Sequence, residues 1–369
     1  MSSFREIAAA VGVAPYACGW RDQNGTVRIA WGKERDAGGP LSLDFRGFHG
    51  EKAFTGAWKG FPAKGRIAPE NFSQLSRPDP EKFAPLELGE GSDSPSREGW
   101  DKLCGRIEEE LASGRLTKVV PARSKVFPLD PATRERLGRE LLTRLFAGYL
   151  DNTFRFFVKD GDQVFFGATP ELLFRLSNGH AYVPAIAGTR PKPDDPAQEE
   201  AAENELRSSP KEQAEHRLVV EGICKALRSL GLSPTHPEQP EILKLRKLIH
   251  LSTPIQAASG SVTAEALVAA LHPTAAMGGS PQRPAQEFLR QHEALERGLF
   301  ASPLLFRWEG GEICLVGIRS GLLNGEGMRL FAGAGYVKGA DPSAEWRETE
   351  KKMDSTRLLL EEGWNERRK

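Results

Sequence analysis

The sequence predicts an α+β or mixed-sheet fold rather than a doubly wound one. β-rich runs and amphipathic helical runs alternate irregularly along the 369 residues, without the strict β-α-β rhythm of a doubly wound sheet. Asn178-Gly179 and Gly310-Gly311 sit between apolar runs, where such pairs make the tight turns of hairpins. No internal repeat is present, which sets solenoids and propellers aside.

Taken in chain order, the first ~95 residues read as short strands broken by Gly, Asp and Pro. Leu75 to Glu98 is rich in Pro, Ser and acid and reads as a crossing loop. Trp100, Leu103, Ile107 and Leu111 recur at helical spacing, so 97–113 is an expected amphipathic helix. Residues 116–127 are β-rich, with a break at Pro121 because proline has no N–H for a ladder. Pro131 starts a helix to about Tyr149. Strands follow at 153–159 and 163–169, then a hairpin around Asn178-Gly179. A loop at 190–198 leads to helices at 198–208 and 210–230. A strand at 247–260, a helix at 263–271, a loop at HPTAAMGGSPQ and a helix at 284–296 come next. The chain ends with a hairpin around Gly310-Gly311, a strand in MRLFAGAGYV and a long helix over 342–367.

Composition excludes more than it assigns. Lys+Arg and Asp+Glu are 50 each, and this zero balance argues against broad binding of nucleic acid or an anionic membrane. No apolar run approaches the ~20 residues of a membrane span, and the N-terminal stretch has no signal-peptide core. Cys18, Cys104, Cys224 and Cys314 are far apart, which speaks for reduced thiols in a cytoplasmic protein.

Several residues are candidates for chemistry, each beside a plainer reading. Lys118 lies between Thr117 and Val119-Val120. Desolvation there would lower its pKa toward that of a general base, but it equally suits an edge-strand lysine facing water. Glu171, among Phe165, Phe166, Leu172 and Leu173, suits a general acid of raised pKa or a glutamate at a helix start. Glu212 and Glu215 are three apart on one predicted helix, and Glu345 and Glu348 repeat the spacing on another. Carboxylates from two helices suit a hard divalent cation; a solvated face with Lys352 as ion-pair partner is the alternative. Arg319, read as lying inside an apolar strand, needs a carboxylate from a ligand or from the protein. Gly333 and Gly335 are not a dinucleotide fingerprint; they and Gly188 suit close approach of a ligand to the backbone. His250 is a lone strand histidine, more often structural than catalytic.

Together and in order, the segments KVVPAR, FFGATPELL, AIAGTR, EHRLVV, IHLSTPI, LHPTAAMGG, RGLFASP, VGIRSG, LFAGAGYV and EWRETEKK resemble the chorismate-utilising enzymes. The resemblance covers about residues 97–365. It implies the fold of anthranilate synthase component I, with mixed, largely antiparallel sheets packed with helices. It also implies a catalytic core at 96–369 and a strand-rich 1–95 belonging to the same domain. Lys118 then matches the base that activates water and Glu171 the acid that protonates the departing hydroxyl. Glu215 and Glu348 match ligands of Mg²⁺, supported by Glu212 and Glu345. Arg319, Gly333 and Lys352 match positions near substrate carboxylates or the metal, and Gly188, Thr189, His250 and Ala275 match pocket positions.

Within the family, Lys118 stands where ammonia-using anthranilate synthases typically have Gln. Ala187 stands where the aminodeoxychorismate branch typically has its nucleophilic lysine in P-I-K-G-T. Both features favour water as nucleophile and isochorismate as product, with no glutamine amidotransferase subunit. The product would serve menaquinone or siderophore synthesis. A salicylate synthase, which goes on to eliminate pyruvate, is the close alternative; an ammonia-using component I or a non-catalytic chorismate-binding subunit is a more distant one. Pro121 replaces the family's usual Leu and Thr169 its usual Ser; Pro121 in particular bears on the strand that carries Lys118.

Overall fold

The computed structural model describes residues 3–35, 37, 39–50, 56–59, 61–76, 83, 86–147, 152–244 and 248–361. Two large sheets and one small one organise the chain. The larger has nine strands in the order Asn71–Leu75, Val27–Gly32, Tyr16–Arg21, Phe154–Asp160, Gln163–Thr169, Ser320–Asn324, Gly327–Gly333, Ala122–Phe127 and Ser92–Ser94. The second has eight, in the order Glu241–Lys244, Leu248–Ala258, His180–Pro191, Leu172–Ser177, Gly311–Val316, Pro303–Trp308, Leu41–Arg46 and Lys64–Ile67. The third sets Lys118–Val119 between Gly279–Ser280 and Tyr336–Val337. Neighbouring strands run antiparallel, as in the hairpins around Asn178-Gly179 and Gly310-Gly311.

Side-chain alternation divides the core. Phe156 and Phe165 enter a cluster shared with the eight-stranded sheet, while Phe157 and Phe166 point to the opposite face. The first cluster gathers the apolar faces of helices α2 (Arg97–Ala112), α5 (Pro210–Ser229), α6 (Ala264–Leu271) and α7 (Gln282–His292). The second packs α1 (Phe4–Val13), α3 (Pro131–Ala147) and α8 (Pro342–Glu361) on the nine-stranded sheet. A further helix, α4 (Pro196–Ser208), anchors Leu206 against Ile249 and Leu251.

The expected elements are largely present, with instructive departures. The N-terminal stretch opens with α1 rather than a strand. Ser3 caps it and Glu6 reaches back to the Ser3 amide, a capping box that strand-oriented reading passed over. The break at Pro121 is real and larger than expected: it separates strands of two different sheets. Arg319 lies outside any strand, at φ 50 in the connection from the eight-stranded to the nine-stranded sheet. Glu171 begins no helix; it occupies the reverse connection, between Gln163–Thr169 and Leu172–Ser177. Helix α7 ends at His292, leaving Glu293 to Glu296 in irregular chain. The expected helix end near Tyr149, strand start at Lys247 and residues 362–367 of the last helix, with part of the loop after Leu75, fall outside the described residues.

Arg123 ties α8 to the nine-stranded sheet. Its guanidinium is fully buried and stacks 3.5 Å from the Trp346 ring centroid. It donates to Thr349 Oγ1 at 2.6 Å, to Asp93 at 2.5 Å and to Glu350, which also takes a bond from Lys125 at 2.8 Å. Only a planar fork serves all these partners at once. Arg123→Ala is expected to lower stability by roughly 2–4 kcal/mol, and Arg123→Lys to recover less than half of that, measured by urea unfolding. A full recovery by Lys would show that charge alone holds the helix.

Candidate active site

The candidate residues collect where the chain passes between sheets. Lys118 leads into the Pro121 corner, Glu171 sits in one large-sheet crossover and Arg319 in the other. The two crossovers are stitched together, because Ala168 donates to the Arg319 carbonyl at 3.0 Å. Glu171 itself is pinned on both sides: its amide donates to Thr169 Oγ1 at 3.1 Å and its carbonyl accepts from Val316 at 3.1 Å.

Lys118 is the central strand of the small sheet, not an edge residue. Its amine passes beside Gly335, where an added Cβ would stand 3.0 Å from Cε and 3.5 Å from Nζ. Burial pushes its pKa below the usual lysine range, opposed chiefly by Glu215, while the Lys352 charge adds to the drop and Glu171 and Glu348 oppose it. Glu171 is shifted the opposite way, up to about 7. Burial raises it, and the adjacent Thr274 hydroxyl, Lys118 and Lys352 pull it back. A base that gives up its proton more readily and an acid that keeps one longer therefore sit in each other's field.

Cationic and polar groups flank this pair. Lys352 donates to the Gly333 carbonyl at 2.8 Å and pairs with Glu348 at 2.6 Å. Arg319 donates to Ser355 Oγ at 3.0 Å, and among the described residues no carboxylate stands within ion-pair distance of it. Burial lowers the Arg319 pKa and Glu348 opposes that, so a carboxylate brought to Arg319 would relieve a desolvated charge. His250 Nδ1 and Thr189 Oγ1 are 2.9 Å apart. Burial lowers the His250 pKa and the Arg319 charge adds to this, against a hydrogen bond with the Gly188 backbone, so the neutral ring is favoured. Gly188 takes φ +73 at a bulge between Ala187 and Thr189, and a Cβ there would press to 3.2 Å from Glu212 Oε2.

The four acidic candidates are not equivalent. Glu345 is half-buried, and its pKa is raised by burial first and then by the Glu348 charge. Its Oε2 is buried with no hydrogen-bond partner. Glu348 and Glu215 are exposed, and both act on Lys118. Glu212 is instead held by Arg190 at 2.7 Å. Among the described residues no group of three or more metal-binding side chains is preassembled. Still, an orphaned carboxylate oxygen beside a like charge, in an all-oxygen donor set, fits a hard cation such as Mg²⁺. Ala275 is exposed in the loop after α6. Its neighbour Thr274, which sequence reading passed over, is the one that acts on the Glu171 carboxyl. Gly335 was noted beside Gly333, but its role against Lys118 needed the fold.

The raised Glu171 pKa has a consequence for stability. A carboxyl that binds its proton more tightly when folded stabilises the fold below its unfolded pKa and loses that stabilisation as pH rises to about 7. Glu171→Gln should therefore melt at a higher temperature than the native chain at pH 8, with the gap shrinking toward pH 4.5. A gap independent of pH would contradict the shift.

No helix among the described residues is long and apolar enough to cross a membrane. Over 270 residues the chain is 35% identical to the salicylate biosynthesis isochorismate synthase of Pseudomonas aeruginosa, covering 72% of this chain and 55% of that protein. Over 276 residues it is 32% identical to the isochorismate synthase MenF of Escherichia coli, covering 72% of this chain and 61% of that one. The matched stretch thus spans little more than half the length of these relatives. The solved structure of Escherichia coli MenF, a menaquinone-specific isochorismate synthase, superposes with a TM-score of 0.75 at 24% identity, covering 96% of this chain and 91% of that one, and shows the shared fold. Residues 64–360 match the chorismate binding enzyme family, and with the sheets and site described above the chain belongs to that family.

Proposed function

We propose that the chain is a Mg²⁺-dependent isochorismate synthase, an isomerase that adds water at C2 of chorismate and expels the C4 hydroxyl. The observation that supports it most is the opposed pair: Lys118 with a lowered pKa and Glu171 with one raised to about 7, each within the other's field. Lys118 takes a proton from water as it attacks C2. The ring double bonds shift, and Glu171 gives its proton to the departing C4 hydroxyl. Arg319 and Lys352 receive substrate carboxylates, with Gly188, Thr189, His250, Ala275 and Gly333 forming the pocket. Glu215 and Glu348 would hold Mg²⁺, with Glu345 and Glu212 in support. Glu212 would have to loosen from Arg190. Mg²⁺ held by these carboxylates would supply charge neutralisation at a substrate carboxylate and withdrawal of electron density from the diene. Residues 1–95 belong to the same domain as the core at 96–369, a reading supported by strands from both parts sharing the two large sheets. The reading places the enzyme in the cytoplasm, without an amidotransferase partner, since water rather than ammonia is the nucleophile.

Purified protein with chorismate and Mg²⁺, without ammonia, should form isochorismate by chromatography; no product would overturn the proposal, and salicylate with pyruvate would redirect it. Lys118→Ala and Glu171→Gln should each lower kcat by roughly 10²–10⁴-fold. Gly335→Ala, which crowds the Lys118 amine, should lower kcat while leaving the melting temperature nearly unchanged; unchanged kcat would show that the amine does not need that path.

A further inference from the structure

The Pro121 corner must turn from one sheet into another inside the protein, so each of its polar groups needs a partner there. Val120 donates to Gly278 O at 3.1 Å, and Pro121 O accepts from Ala334 at 3.1 Å. The remaining two groups go to side chains. Ala122 N donates to Glu293 Oε1 at 2.7 Å, and Val120 O accepts from Arg297 Nη2 at 2.6 Å. Glu293 and Arg297 are joined by two hydrogen bonds, at 2.6 and 2.9 Å, and their side chains are each 1% exposed.

The same guanidinium reaches the loop that carries Thr274. Arg297 Nη1 donates to Met277 O at 3.1 Å, and the amides of Met277 and Gly278 donate back to Thr274 O at 3.0 and 3.1 Å. Its outer face is covered by Phe48, 4.3 Å from the ring centroid, and Phe48 N is tied to Gly298 O at 3.0 Å. A buried ion pair of this kind costs desolvation and is a poor source of stability by itself. Bonded to three backbone groups at once, it fixes geometry instead.

We propose that Glu293 and Arg297 are a positioning pair that holds Lys118 and Thr274 in register across the site, and that Phe48 of the N-terminal segment completes it. The proposal rests on the assignment of Lys118 as base. Neither residue touches substrate; both act through the corner. The N-terminal segment thereby gains a part in the chemistry.

The test is a double-mutant cycle on the full chain with chorismate and Mg²⁺, assayed well below each variant's melting temperature. Glu293→Gln should lower kcat by roughly 10–100-fold, the scale of a small misplacement, with KM changed less than about twofold. On a Lys118→Ala background the same substitution should cost at most a few-fold, clearly less than on the native background, because one of the two groups it positions is gone. Equal losses on both backgrounds, or a native kcat, would overturn the pair. Should Glu293→Gln not fold, Phe48→Leu, which keeps the ion pair, should lower kcat about threefold on the native background only, and equal effects on both would overturn it. Arg297→Lys, which keeps charge but loses the fork, should behave like Glu293→Gln; full activity would refute the need for its geometry. A native rate for Lys118→Ala itself would refute the base assignment instead, so the two failures are distinct.

Discussion

A proline cannot donate a backbone hydrogen bond, and much of this molecule is arranged around the corner that Pro121 makes. Lys118–Val119 belongs to the small sheet and Ala122–Phe127 to the large one, so two residues must redirect the chain while buried. The loop at Gly278, the turn at Ala334 and the Glu293–Arg297 pair supply the partners that a continuous strand would have found in its ladder. Arg297 in turn sits under Phe48, and the sheet beyond the corner is bound through Arg123 to α8. The corner therefore connects the N-terminal segment, the Thr274 loop and the last helix.

Partial desolvation does most of the tuning at the site. It lowers Lys118, Arg319 and His250 and raises Glu171 and Glu345. The same burial therefore moves an amine and a carboxyl toward each other on the pH scale, as paired acid–base work requires. Nearby charges temper these shifts without cancelling them.

The irregular alternation of elements, the two Gly turns and the break at Pro121 were legible because each follows from the local chemistry of a few residues. The capping box at Ser3 and Glu6 was equally local and was passed over for want of a strong apolar period nearby. Arg319 was misplaced into a strand because its apolar neighbours mask a bend at φ 50. Glu212 and Glu215 share one helix, yet one is held by Arg190 and the other stands exposed. Helical spacing gives a direction along the helix but not what waits across from it.

By itself the sequence determined the family and most of the element types, since these depend on residue chemistry in fixed local order; the candidate acid, base and carboxylates it offered only through the family resemblance. Only the tertiary structure decided that Lys118 is central rather than at an edge. Only it showed Thr274 acting on Glu171, Gly335 leaving space for the amine, and Glu293 with Arg297 closing the corner. Such relations join residues far apart along the chain, as in the bond from Arg297 to Val120, whose separation is 177. They exist only once burial has removed water as the competing partner for each polar group.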